Sequence, residues 1–141
     1  MATAALGLLV GGCGGSSPKP LSKADYVKQM QTIGRSLSTS INSVSTVTSP
    51  KQAATALTKV QGDLNAAADE MEKITPPDDI KDAHEKLTQA VSDFADELQP
   101  IIDKLNNGNL SALAGVTTLK AFKDLQAAAA QITKAGYKIN G

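Results

Sequence analysis

From Leu21 onward the apolar residues recur at steps of three and four, and nowhere do they alternate with polar residues for the length of a strand. A repeat of that period buries one stripe of a helix, so the chain is confined to helices packed on one another. Strong breakers divide the stripes. The first reads Tyr26, Met30, Ile33, Leu37, Ile41 and Val44, and it opens at Ser22 with Asp25 three positions on, close to a capping box. The second opens at Ser49-Pro50, a capping residue followed by the one helical position where a missing N–H costs nothing. It runs through Ala53, Leu57, Val60, Leu64, Ala67, Met71 and Ile74, with Asp69 and Lys73 spaced for an ion pair on its outer face, and stops before Pro76-Pro77. The third starts behind Asp78 and Asp79, whose charge suits a helix N-terminus, and carries Ile80, Ala83, Leu87, Val91, Phe94, Leu98, Ile101 and Leu105 to Asn106-Asn107-Gly108. Pro100 lies inside that run and predicts a kink or a break between Asp96 and Pro100. Beyond Asn109, a short turn through Leu110 and Leu113 and a loosening Gly115 lead to a last helix on Leu119, Phe122, Leu125, Ala129, Ile132 and Gly136.

Four segments of similar length joined by short connections predict an all-α fold, an antiparallel up-down bundle of about four helices with both chain ends at the same end of the bundle. The alternative is three long helices with a short C-terminal helix across one end. The weakest segment is 36–49, where nine of fourteen residues are Ser or Thr that compete for backbone hydrogen bonds, so fraying or a low-complexity disordered stretch is the rival reading there. Small residues at Ala53, Ala67, Ala83, Ala129 and Gly136 draw the helix axes together, which predicts a close-packed core around Met30 and Met71 without an enclosed ligand cavity.

Counting excludes most site chemistries. Lys plus Arg and Asp plus Glu each number 14, so no net field attracts nucleic acid, and with no Trp, two Tyr and two Phe there are few rings for base or sugar stacking. The only imidazole, His84, stands among Asp78, Asp79, Asp82 and Glu85 in sequence, but its neighbours around a helix are Ile80, Lys81, Leu87 and Thr88, which are not a metal-ligand set. The expectation is a boundary or surface histidine and no metal site. Asp93, Asp96 and Glu97 read as an acidic, solvated helix face. The Ser-rich stretch has no His partner nearby and no G-x-S-x-G elbow, and the glycines at 11–15 form no phosphate loop, so no enzyme activity and no cofactor are expected.

The N-terminus has a different character. MATAALGLLVGGC is apolar or small up to Cys13, then gives way to Gly14-Gly15-Ser16-Ser17-Pro18-Lys19-Pro20. Leu9-Val10-Gly11-Gly12-Cys13 resembles a bacterial lipobox, in which the Cys is lipidated on its thiol and becomes the mature N-terminus. The resemblance implies a lipoprotein signal peptide at 1–12, a lipidated Cys13 with a flexible spacer at 13–20, and a bundle domain at 21–141. The chain departs from the pattern in having no Lys or Arg ahead of the apolar stretch, as a start placed downstream of the natural one would leave it. The plain alternative for Cys13 is a free thiol. The stretch falls short of the roughly 20 apolar residues that cross a bilayer, whereas acyl chains bury methylenes at about 0.8 kcal/mol each and hold stably when more than one is attached. A spacer reaching at most about 25 Å keeps the domain near the membrane.

The lipobox, the Gly/Ser spacer, the opening Leu21-Ser22-Lys23-Ala24-Asp25-Tyr26 and the Pro76-Pro77-Asp78-Asp79 link together resemble small helical lipoproteins of actinobacteria and other Gram-positive bacteria. That family is largely of unknown function. Its members often carry a Cys near the position of Gly34, which this chain lacks, so no disulfide is implied. The expected role is a binding or interaction module of the cell envelope, held at the extracytoplasmic face of the cell membrane and facing an envelope protein partner, with no nucleic acid involved. The alternative is a structural or accessory lipoprotein packed against a membrane complex.

Overall fold

The computed structural model describes residues 19–139, and Cys13 with the rest of the N-terminal segment lies outside them. All regular structure among the described residues is helical. Helix α1 is Lys23–Val44, α2 is Pro50–Glu72, α3 is Lys81–Glu97, α4 is Gln99–Asn106 and α5 is Lys120–Lys134, with 3₁₀ segments at Asp78–Ile80 and Leu110–Thr118. Both forecast N-caps form: the Ser22 hydroxyl accepts from the Asp25 N–H and the Ser49 hydroxyl from the Gln52 N–H, with Pro50 in the first turn.

The helices alternate in direction as an up-down bundle. Helix α1 packs on α2, α2 on α3 and α4, and α3 on α5, the most extensive contact of all. The last helix therefore runs along the bundle and does not lie across its end. Leu21 N–H donates to Thr75 O at 2.9 Å and Tyr137 reaches Asp79, so both ends of the described chain meet the α2–α3 connection at one end, termed the base. The core is continuous from Tyr26, Met30 and Ile33 through Leu57, Leu64 and Met71 to Val91, Leu98, Leu105 and Ile132. Phe94 and Phe122 stack with ring centroids 5.7 Å apart.

The third stripe is built as two helices. Pro100 cannot donate to the preceding turn, so α3 ends at Glu97 and α4 starts afresh, with Leu98 O taking the N–H groups of both Ile101 and Ile102 at 3.0 Å. The break lets α3 lie between α2 and α5 while α4 leans on α2 and the 110–118 segment. Pro100 is exposed and occupies the first turn of α4, where its ring is no defect. Pro100→Ala is therefore expected to cost about 0.5 kcal/mol through a looser unfolded chain. A urea midpoint that rises, by the amount an interior helical proline costs, would show the bend to be strain.

The Ser/Thr-rich stretch is helical to Val44, as the stripe predicts and against the disordered alternative; Ser36 and Thr39 turn their hydroxyls onto the carbonyls of Thr32 and Arg35 four residues back and stay within the helix. Other expectations need correction. Ile41 does not face the core; it is 47% exposed, and Ser40 takes the inward position. Asp69 and Lys73 form no ion pair, since α2 ends at Glu72 with Lys73 as its C-cap; the ion pairs among the described residues are Lys59–Asp63 and Lys120–Asp124. Leu119 is extended and precedes α5, and the short turn before it is a nine-residue 3₁₀ segment with no buried side chain. Gly136 lies past the end of α5. At φ +88° it lets the Tyr137 N–H reach back to Ile132 O and its own N–H to Thr133 O, and Gly108 at φ +87° closes α4 in the same way.

Candidate functional site

Polar chemistry is buried at two places, each where a stripe presented a choice between a polar and an apolar neighbour. At the base, the first turns of α1 and α3 carry Tyr26 and His84 into the core, with Tyr26 fully buried and His84 only 4% exposed. This overturns the expectation of a boundary or surface histidine. His84 Nε2 lies 3.0 Å from Met71 O at the end of α2, and Nδ1 lies 3.0 Å from the Tyr26 hydroxyl. A carbonyl oxygen only accepts, so Nε2 carries the ring proton; Nδ1 is then bare and accepts from Tyr26. One neutral tautomer thus ties α1, α2 and α3 together.

A second tyrosine completes the cluster. Beyond Gly136 the chain folds back as a strap, residues 135–139, and Tyr137 sets its ring edge-on to Tyr26 with centroids 5.6 Å apart. The Tyr137 hydroxyl donates to Asp79 at 2.7 Å, Lys23 Nζ sits 4.7 Å from its ring centroid, and Gln31 donates to Lys138 O at 2.9 Å. The bond to the Asp79 carboxylate, helped by burial, pushes the Tyr137 phenol up to about 12. Burial, and then the proximity of Tyr137, raise the Tyr26 phenol too, so both remain donors at neutral pH.

Burial likewise pushes the His84 imidazolium below its ordinary 6.5, outweighing the Met71 carbonyl and Glu85, which favour the cation. A histidine with a lowered folded-state value binds its proton more readily when unfolded. Its contribution to stability is complete above pH 6.5 and is lost as pH falls from there through the folded-state value. Urea unfolding is expected to show a lower midpoint at about pH 5 than at about pH 7.5, with the difference reduced in His84→Gln. Equal differences in both proteins would remove His84 as the cause.

The second place is the α1–α2 interface. Ser40 is buried and donates to Asp63, while Lys59 Nζ reaches Asp63 at 2.6 Å and Ser40 Oγ at 3.2 Å. The Lys59 bond, followed by that of Ser40, holds the Asp63 carboxyl below its usual range. A serine beside a lysine suggests a nucleophile and its base, but here the amine donates to both oxygens as half of an ion pair. The group works as a polar clasp between two helices.

The acidic residues forecast as one face are divided. Asp93 accepts from Gln89, Asp96 is exposed, and Glu97 accepts the Ala121 N–H at 3.0 Å, capping the first turn of α5, which has no cap of its own. The carboxylate meets the positive end of that helix. Among the described residues no three His, Cys, Asp or Glu side chains converge as metal ligands, and no helix is long and apolar enough to cross a membrane. A cleft of about 480 Å³ runs beside His84, lined by Glu72, Lys81, Glu85 and Thr88, and opens to solvent.

The end of the bundle opposite the base is different again. It includes residues 36–50 and 105–119, two fifteen-residue stretches without a single Asp, Glu, Lys or Arg, flanked by Lys51, Lys104 and Lys120. The two large apolar side chains that stand exposed, Ile41 at 47% and Leu110 at 38%, both belong to it. Comparison with protein-family models, curated proteins and solved structures finds no match to this chain.

Proposed function

We propose that this protein is a lipid-anchored, extracytoplasmic lipoprotein whose bundle is a binding module of the cell envelope, and that it docks through the end opposite the base. The observation that carries the docking role is the coincidence, at one end, of thirty residues without charge and both exposed large apolar side chains. Desolvating such a surface costs little, and apolar residues left uncovered are the usual mark of an interaction site. The anchoring role rests on the lipobox-like run ending at Cys13. The two fit together, because the chain enters the bundle at its base, beside Thr75, and α1 then spans about 33 Å to the opposite end. An anchor at Cys13 would hold the docking end away from the membrane and toward the envelope.

Two measurements test this reading. Cys13→Ala is expected to move the protein from the membrane fraction to the soluble fraction; equal partition of both forms refutes the anchor. Photo-crosslinking amino acids at Ile41 and Leu110 in living cells are expected to give a shared, discrete adduct that a control at the exposed Lys86 does not give. The same products from all three positions, or none from the first two, refute the docking end.

A further inference from the structure

The base of the bundle carries a non-helical strap that the binding role does not require. Residues 135–139 are not helical, yet Tyr137 and Ile139 are buried, and the strap is held by side chains of three other elements: Tyr26 and Gln31 of α1, Asp79 of the 3₁₀ turn, and His84 of α3 acting through Tyr26. These holds are polar or aromatic: an amide on a carbonyl, the Tyr137 hydroxyl on Asp79, and the Tyr137 ring against a Tyr26 ring that is itself tied by its hydroxyl to His84. The direction of the Tyr26 hydroxyl is set by His84, since Nε2 is committed to Met71 O and Nδ1 is the acceptor.

A second proton on the ring can go only to Nδ1, the atom that now receives the Tyr26 O–H. Two donors then face each other across 3.0 Å. If the phenol oxygen turns to accept from Nδ1–H, its own proton needs a new acceptor, and His84 is its one hydrogen-bond partner in the structure. A buried hydroxyl without an acceptor is unfavourable, so the ring is driven out of its place. Tyr137 rests edge-on against that ring and moves with it.

The charged surroundings decide whether other groups imitate this response. Glu85 on α3 and Glu72 at the end of α2 face the cleft beside His84 together with Lys81. On the far side of Tyr26 are Lys23 of α1 and Asp79 of the 3₁₀ turn, each against Tyr137. Of these, Asp79 is the group whose protonation would also loosen the strap, by weakening the bond from the Tyr137 hydroxyl.

We propose that the strap 135–139 is a proton-released latch: protonation of His84 as pH falls turns Tyr26 away, undocks Tyr137 and opens the base between α1 and α3 while the helices stay packed. Burial of His84 puts this event below pH 6.5. The proposal is independent of the lipid anchor and of the docking end, because it concerns only contacts at the base.

The test uses the full chain. Hydrogen exchange of the amides of 137–139, corrected for the intrinsic pH dependence of exchange, is compared at about pH 7.5 and about pH 5 with that of α2 and α3. The expected result is a fall of about tenfold or more in strap protection, with helix protection retained and the fall absent in His84→Gln, whose amide does not titrate in this range. Asp79→Asn separates the two triggers: the fall is expected to persist in it. Strap protection that does not change with pH overturns the latch. So does a fall that remains in His84→Gln, a fall abolished by Asp79→Asn but not by His84→Gln, or a loss of helix protection in step with the strap. Should His84→Gln fail to fold, NMR of the unmodified protein decides: the His84 ring and the Tyr137 ring must titrate with one midpoint, and separate midpoints overturn the proposal.

Discussion

Tyr26→Ala is expected to destabilise the protein by about 4 kcal/mol, a large share of the stability of a domain of this size. The ring is fully buried and touches the rings of both His84 and Tyr137, so its removal leaves a cavity bordered by those two rings. It also strips His84 Nδ1 of its only donor and leaves a buried polar atom unsatisfied. Tyr26→Phe separates the two effects: it keeps the ring and is expected to cost about 1–2 kcal/mol, the loss of one buried hydrogen bond. Urea unfolding followed by circular dichroism reads both. A Tyr26→Phe loss as large as that of Tyr26→Ala would mean that the hydroxyl, and not the ring, holds the base.

Gly136→Val is expected to cost about 2–3 kcal/mol, from a β-branched residue forced to a positive φ. The backbone there is at φ +88°, and a Cβ would come within 2.9 Å of Lys23 Nζ. The lysine is the flexible partner and moves aside, so backbone strain dominates. That strain is relieved if the strap swings away, so the loss is expected to be concentrated there: the protection of 137–139 falls before that of α5. Gly136→Asn, which tolerates the left-handed region better, is expected to recover part of the loss. Identical melting temperatures for the valine and asparagine forms would show that the reversal does not depend on φ.

The positions of helices, caps and breaks were legible because each follows from local chemistry. Ser22, Ser49-Pro50, Pro76-Pro77 and Pro100 fix their boundaries through groups within a turn of themselves. The base site was not legible, and the reason is specific. On α3 the stripe Ile80, His84, Leu87, Val91 fits the 3.6 repeat as well as Ile80, Ala83, Leu87, Val91, and on α1 Ser40 competes with Ile41 in the same way. Hydrophobicity favours the alanine and the isoleucine. The packing chose the histidine and the serine, because a polar side chain can be buried when a distant partner satisfies it. Those partners, Tyr26 58 positions away and Asp63 23 positions away, carry no local signal. What sequence reasoning could have kept is the ambiguity: a polar residue in register with a stripe is itself a hint of a buried network.

The order in which the helices touch has a consequence for how the chain reaches this state. Helix α1 meets α2, α2 meets α3 and α4, and α3 meets α5 across α4 and the 110–118 segment, so most of the core joins elements close together in the chain. Such local connectivity closes small loops and belongs to rapidly folding topologies. The ties of the strap to α1 are the exception, with Gln31 and Lys138 lying 107 positions apart. Closing that distance is worthwhile only after the helices between have assembled. The strap is thus expected to dock last during folding and to be released first.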